Sequence, residues 1–343
     1  MAVISFKPKQ VTKRLLSNLQ DRSYDIIVHR YGLGDSPDSK TLEAIGKKYG
    51  ITRERVRQIE NAALAAIRKS DSFKTEHKIF SELHTVIEAM GGLVHEDDFL
   101  SYVSKDKSMQ NHVRFYLVLG DDFTKLKEDD HFASRWTIDE ALSNTVHEAL
   151  HSVYRNLDDK DLLSENDLVQ RFIKELKDCA DQYKNEEVAR RWINISKKIG
   201  KNPLGEWGPA DSQNVKTRGI KDYAYLMMKK HGSPMHFREV AKAIQDTFGK
   251  KTHIATTHNE LIKDSRFVLV GRGYYALAEW GYKPGVVRDV IKEILVKEGP
   301  LTKEDVVDRV LKERFLKKNT ILVNLQNAKY FKKLDDGRYT VAK

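Results

Sequence analysis

One cysteine, Cys179, stands alone among 343 residues. A lone thiol permits no intrachain disulfide and no all-cysteine metal site, and it suits a reducing compartment. No apolar run approaches the roughly 18 residues that a membrane span requires. The start, MAVISFKPKQ, lacks the apolar stretch of a signal peptide, so a cytoplasmic, nucleoid-associated protein with no membrane partner is expected. Three phosphate or nucleophile motifs are missing as well: G-x-x-x-x-G-K, G-x-G-x-x-G after a strand, and the G-x-S-x-G elbow. The sequence therefore predicts no enzyme, no cofactor, no catalytic residue and no metal site.

Charge is what the chain has in quantity. Charged residues make up 32% of it, the net charge is +10, and the pI is near 9.3. The distribution is uneven. Residues 1–75 carry 15 basic and 8 acidic side chains, and residues 76–140 carry 7 and 14. Residues 141–214 carry 11 and 13, and residues 215–343 carry 27 and 15. Both ends are basic and the centre is acidic. Basic ends favour an acidic polymer as partner, although solvated faces account equally well for the C-terminal part.

The run TLEAIGKKYGITRERVRQIENAALAAI, from Thr41 to Ile67, has the spacing of a helix-turn-helix. Apolar residues at Ile45, Tyr49, Ile51, Val56 and Ile59 would pack two crossed helices. Gly46 is small where they meet, and Gly50 permits positive φ in the turn. Thr41 can cap the first helix. Arg53, Glu54, Arg57 and Gln58 would then project from the second helix, as side chains that read base edges and grip phosphates. Two supporting helices are predicted between Val11 and Tyr31, broken near residues 21–23, with a loop at residues 32–39.

The segment DIIVHRYGLGD…TLEAIGKKYGITRERVRQIENAALAAIRKS resembles region 4 of the bacterial sigma-70 family, and GITRERVRQIE is the specific part of the match. The resemblance covers residues 10–70. It implies recognition of promoter-like double-stranded DNA and docking on the flap of the RNA polymerase β subunit. It also implies that Arg53, Glu54 and Gln58 face bases, while Arg57, Thr41 and Arg30 serve the DNA backbone or nearby bases. Thr52, Arg55 and Arg68 complete the expected DNA-binding set. Two departures qualify it. Ala62, Ala65 and Ala66 occupy a stretch that is usually basic in such proteins. The residues before Thr41 also leave no room for sigma region 2, so a promoter-opening sigma factor is not expected.

A second pattern follows. Val94-His95…Asp98-Phe99, Leu163-Ser164…Asp167-Leu168, Met235-His236…Glu239-Val240 and Leu301-Thr302…Asp305-Val306 each read as apolar residue, cap, acid, apolar residue. This is close to a capping box. Amphipathic helices are predicted before them near residues 78–89, 144–156, 220–230 and 286–297. Short aromatic strands follow at residues 135–137, 206–208, 274–276 and 338–340. Three helices and a terminal hairpin make a winged helix, so the chain is read as mainly α, a helix-turn-helix domain followed by tandem winged helices. The expected division is a flexible start at 1–9, the helix-turn-helix at 10–72, an acidic winged unit at 76–140, and further winged units at 141–212, 215–282 and 285–343. The third winged unit, with Pro234, Phe237-Arg238-Glu239-Val240 and the strand at Gly271–Leu277, resembles the HARE-type helix-turn-helix found in the delta subunit of some bacterial RNA polymerases.

His147-Glu148-Ala149-Leu150-His151 matches H-E-x-x-H, in which two histidines one turn apart bind zinc and the glutamate activates water. A zinc hydrolase is thus an alternative reading. Against it, Tyr154 stands where the extended metzincin motif needs glycine, and no third histidine follows. Val146, Ala149, Leu150, Val153, Tyr154 and Leu157 form an apolar face that explains the helix by packing. The favoured function is a DNA-binding protein of transcription initiation. Its alternative is a polymerase accessory protein with minor DNA contact.

Overall fold

The computed structural model describes residues 4–177, 180–282, 285–314 and 316–342, so the lone Cys179 lies outside the described residues. The chain divides into two units: residues 1–201 with 206–211, and residues 202–205 with 212–343. The fold is mainly helical with small antiparallel sheets.

The first unit opens with α1 (Pro8–Leu16), α2 (Asp21–Tyr31), α3 (Leu42–Tyr49), α4 (Arg53–Lys69) and the short α5 (Asp71–Thr75). Pro8 sits at the start of α1, where a missing N–H costs nothing. The break between α1 and α2 lies just before Asp21 and not at residues 21–23. Asp21 instead heads α2, where a carboxylate meets the positive end of the helix dipole. The segment read as a flexible start is packed: Phe6 lies edge-on to Tyr116 at 5.9 Å, and the Ser5 hydroxyl donates to Glu82 at 2.6 Å.

Next come α6 (His77–Ala89), β1 (Leu93–His95), α7 (Glu96–Val103), α8 (Lys107–Leu119), β2 (Thr124–Leu126) and β3 (Arg135–Thr137), the strands in the order β1-β3-β2. The unit closes with α9 (Glu140–Arg155), α10 (Glu165–Glu175), α11 (Glu186–Ile193), β4 (Ile199–Lys201) and β5 (Trp207–Pro209). Helix α9 begins four residues before the predicted Asn144. The Asp139 carboxylate accepts from the N–H groups of Ala141 and Leu142 and so fixes its start.

The second unit holds α12 (Ile220–His231), β6 (Met235–His236), α13 (Phe237–Phe248), α14 (Ile254–Lys263), β7 (Phe267–Leu269) and β8 (Tyr274–Leu277). These are followed by α15 (Val287–Glu298), α16 (Lys303–Glu313), α17 (Lys318–Leu325), β9 (Phe331–Lys333) and β10 (Tyr339–Val341).

The four-fold sequence pattern has one structural cause. Its apolar residue pairs across a ladder with its aromatic strand: Val94 opposite Trp136, Leu163 opposite Trp207, Met235 opposite Tyr275, and Leu301 opposite Tyr339. A strand or single bridge thus precedes the second helix of every repeat, a feature the sequence reading missed. The caps differ in quality. Ser164 accepts from Asp167 N–H at 3.1 Å and Thr302 from Asp305 N–H at 3.2 Å. His236 accepts from Arg238 N–H at 3.3 Å, while Glu239 accepts from His236 N–H at 3.0 Å. The His95 ring makes no cap bond and instead faces Asp98 at 3.4 Å.

One hydrophobic core runs from Val11, Leu15, Leu16 and Ile27, through Ala63, Leu64 and Ile67, to Phe99, Phe115, Tyr116 and Trp136. The helix-turn-helix segment and the first winged repeat are therefore joined by shared burial, with α8 lying against α1 and α2.

Candidate nucleic-acid interface

A small core holds the helix-turn-helix: Ile26, Ile45 and Val56, fully buried, with Leu42, Tyr49, Ile51 and Ile59 around them. The turn is specified twice by glycine. A Cβ on Gly46 would lie 2.6 Å from the Ile51 carbonyl oxygen, so α3 can approach the turn only without one. Gly50 adopts φ 62°, the left-handed region that L side chains rarely take, with no atom near enough to clash. Thr41 caps α3 by accepting from Ala44 N–H at 3.1 Å, and Thr52 caps α4 by accepting from Arg55 N–H at 3.2 Å. Each threonine is exposed and keeps its hydroxyl proton for another acceptor.

This frame puts Arg53, Glu54, Arg55, Arg57 and Gln58 on the exposed side of the first turns of α4. Glu54 accepts from Arg57 Nε at 2.9 Å and Nη2 at 2.7 Å. The guanidinium holds the Glu54 carboxyl below the ordinary carboxylate range. Arg55 donates to Gln58 Oε1 at 3.1 Å. Among the described residues, no hydrogen bond or ion pair holds Arg53. Arg53, Arg55 and Thr52 line one wall of an open concavity of about 680 Å³ at the elbow, with Glu43 and Lys47 of α3 opposite. Lys47 was not anticipated from the sequence; its position one turn after Glu43 was the available signal, and the pair meets at 3.1 Å.

Two expected residues are held differently. Arg30 donates to the Lys40 carbonyl at 3.3 Å and lies 3.4 Å from Glu60, which also accepts from the Tyr31 hydroxyl at 2.9 Å. Arg30 thereby pins the loop before Thr41. Arg68 lies at the far end of α4. Its guanidinium donates to the carbonyls of Val118 and Leu119 at 2.7 and 2.9 Å, so it closes the C-terminus of α8 and is not part of the exposed group around Arg53.

Functional reasoning from sequence missed how this domain is mounted. The α8 face bearing Asn111, His112, Phe115 and Tyr116 docks on it. Asn111 donates to the carbonyls of Gly32 and Pro37, and Thr12 meets both His112 Nδ1 at 2.8 Å and the Tyr116 hydroxyl at 2.7 Å. The signal was present: α8 is apolar on nearly every side, as a helix buried all round must be.

The His147–His151 pair has a packing role. His147 stacks on Phe132 at 4.3 Å, and its Nε2 accepts from Arg135 Nε at 2.8 Å. His151 packs edge-on to the same ring. The nitrogen that would bind zinc faces a guanidinium, and burial beside that cation pushes the His147 imidazole down to about 4. Among the described residues, no cluster of three or more His, Cys, Asp or Glu is placed to hold a metal ion. No helix among them is long and apolar enough to cross a membrane.

Residues 15–69 match the sigma-70 region 4 family model, and residues 218–280 match the HARE-HTH model, which describes an HTH domain of ASXL and restriction endonuclease proteins. The RNA polymerase sigma factor RpoD of Helicobacter pylori is 43% identical over 60 residues, which is 18% of this chain and 9% of that protein. The RNA polymerase principal sigma factor HrdD of Streptomyces griseus is 46% identical over 55 residues, 16% of each chain. The likeness to these sigma factors is thus confined to the helix-turn-helix segment.

Proposed function

We propose that the chain is a non-enzymatic, sequence-specific DNA-binding protein of transcription initiation, in which α4 enters the major groove of promoter-like DNA. The observation that carries this reading is the exposed group Arg53, Glu54, Arg55, Arg57 and Gln58, gathered on one end of the second helix of a sigma-type helix-turn-helix. Arg53 is poised for a base edge or phosphate without first breaking an ion pair. Glu54 and Arg57 separate to make contacts of their own, exchanging an exposed pair for acceptors in the groove. Thr41 and Thr52 hydroxyls donate to phosphates, and the N-terminus of α4 adds its dipole. Each good bidentate base contact contributes roughly 1–3 kcal/mol of discrimination. Localisation with the nucleoid in the cytoplasm follows from this reading.

The test is gel-shift binding of wild type against Arg53→Ala plus Gln58→Ala. Loss of sequence preference is expected; unchanged affinity and preference would remove α4 as the reading helix.

The mutual pairing of Glu54 with Arg57 and of Arg55 with Gln58 also fits a second reading, a polymerase accessory protein docked on the β flap with minor DNA contact. The apolar side of α1, α2 and the end of α4 is covered by α8, so such docking would use the polar surface that remains. Co-purification with polymerase after nuclease treatment, together with unchanged DNA binding in the double variant, would favour it.

A further inference from the structure

The four winged repeats share a plan but differ sharply in what their third helix offers. In the first repeat, α8 is buried against the helix-turn-helix. In the second, α11 carries Arg190 and Arg191, which are held by Glu165, Glu186 and Glu187. In the third, α14 carries Glu260 within it and ends at Asp264. The fourth is unlike the others. From residue 314 to residue 334 the chain has Arg314, Lys317, Lys318, Lys329, Lys332 and Lys333 and no acidic residue. All five lysines are exposed, and among the described residues no ion pair holds any of them. Ile321 and Leu325 bury one side of α17, while Asn319 and Val323 face outward, Val323 at 69% exposure. No side chain caps α17, so its first N–H groups remain open beside Lys317 and Lys318.

We propose that α17, with Lys329 and the β9 residues Lys332 and Lys333, is a second double-stranded DNA contact, separate from α4. The lysines neutralise phosphates and so supply sequence-independent affinity. Asn319 and Val323 form the part of the helix that meets base edges, an amide for hydrogen bonds and a branched apolar group for a thymine methyl. The hairpin tip takes no part: it carries Asp335 and Asp336, the latter paired with Arg338 at 2.6 Å. The assignment does not depend on α4 reading DNA.

The experiment uses the full chain and a duplex of arbitrary sequence, with affinity followed as salt is raised. Lys317→Gln, Lys318→Gln, Lys332→Gln and Lys333→Gln together should lower the slope of log K against log salt by about 3.6, at roughly 0.9 per phosphate contact. Sequence preference should be unchanged. A photo-crosslinking side chain at Val323 should couple to the duplex, and should still do so in the Arg53→Ala plus Gln58→Ala background. An unchanged slope, or no DNA adduct from position 323, would overturn the assignment while leaving the α4 reading intact. Loss of preference in the α4 variant alone tests that reading and not this one.

Discussion

The guanidinium of Arg68 donates to the carbonyl oxygen of Val118 at 2.7 Å. The last turn of the candidate recognition helix is thereby tied to the last turn of α8, whose terminal carbonyls lack helical partners. A residue that reads as a DNA contact in the sequence is a structural clamp.

Arg68→Ala should therefore cost stability and leave DNA binding alone. Two charge-assisted hydrogen bonds are lost, and water reaches the partly exposed site, so the loss should be about 1–2 kcal/mol. Urea unfolding checks the first expectation. Duplex affinity of the folded variant, within twofold of wild type, checks the second.

Gly46→Ala and Gly50→Ala should separate two uses of glycine. At Gly46 the added Cβ meets main chain at 2.6 Å, so the turn must move, costing about 1–3 kcal/mol and re-aiming α4. At Gly50 only the left-handed φ is penalised, at about 1–2 kcal/mol. Thermal unfolding should show both losses. Binding per folded molecule should fall for Gly46→Ala and hold for Gly50→Ala.

Removing the Thr52 cap leaves an N–H of the first turn of α4 without its partner. Thr52→Ala should cost about 1 kcal/mol, and Thr52→Ser, which keeps the oxygen, should recover most of it. Chemical denaturation of the three proteins side by side checks the ordering.

Acid should weaken the first unit before its carboxylates titrate. Burial, aided by Lys9, pushes His112 down to about 4, and burial beside Arg135 does the same to His147. Their unfolded imidazoles take up protons near 6.5, so stability is fully present above that pH and is lost as pH falls towards 4. His95 works in the opposite sense, because Asp98 raises it. Unfolding midpoints measured from pH 7.5 to 4 should fall with acid. His112→Gln should flatten that dependence, and His95→Gln should steepen it.

What was legible early was local. Thr41, Gly46, Gly50 and Thr52 specify a turn within a dozen residues, and the apolar spacing of Ile45, Val56 and Ile59 leaves one face for Arg53 to Gln58. The repeated cap and aromatic strand were equally readable, because each records a helix start or a ladder pair inside its own repeat. The preceding strands were harder: two residues at Met235–His236, or one bridge at Leu163, leave too short a run to show alternation. His147 and His151 carried a metal signature that their surroundings redirect, since no spacing rule shows that Phe132 and Arg135 will meet them.

The sequence by itself determined the helix-turn-helix, its exposed reading face and the four-fold winged plan, since these follow from periodicity, capping and backbone sterics at short range. Only the tertiary structure decided which polar side chains remain for DNA. Arg68, Arg30 and the third helix of the first repeat were removed from that set by residues distant in the chain. Burial of α8 against α1 and α2 outweighs what its polar positions would gain in solvent, and a buried carbonyl or guanidinium must find a partner wherever the packing puts one.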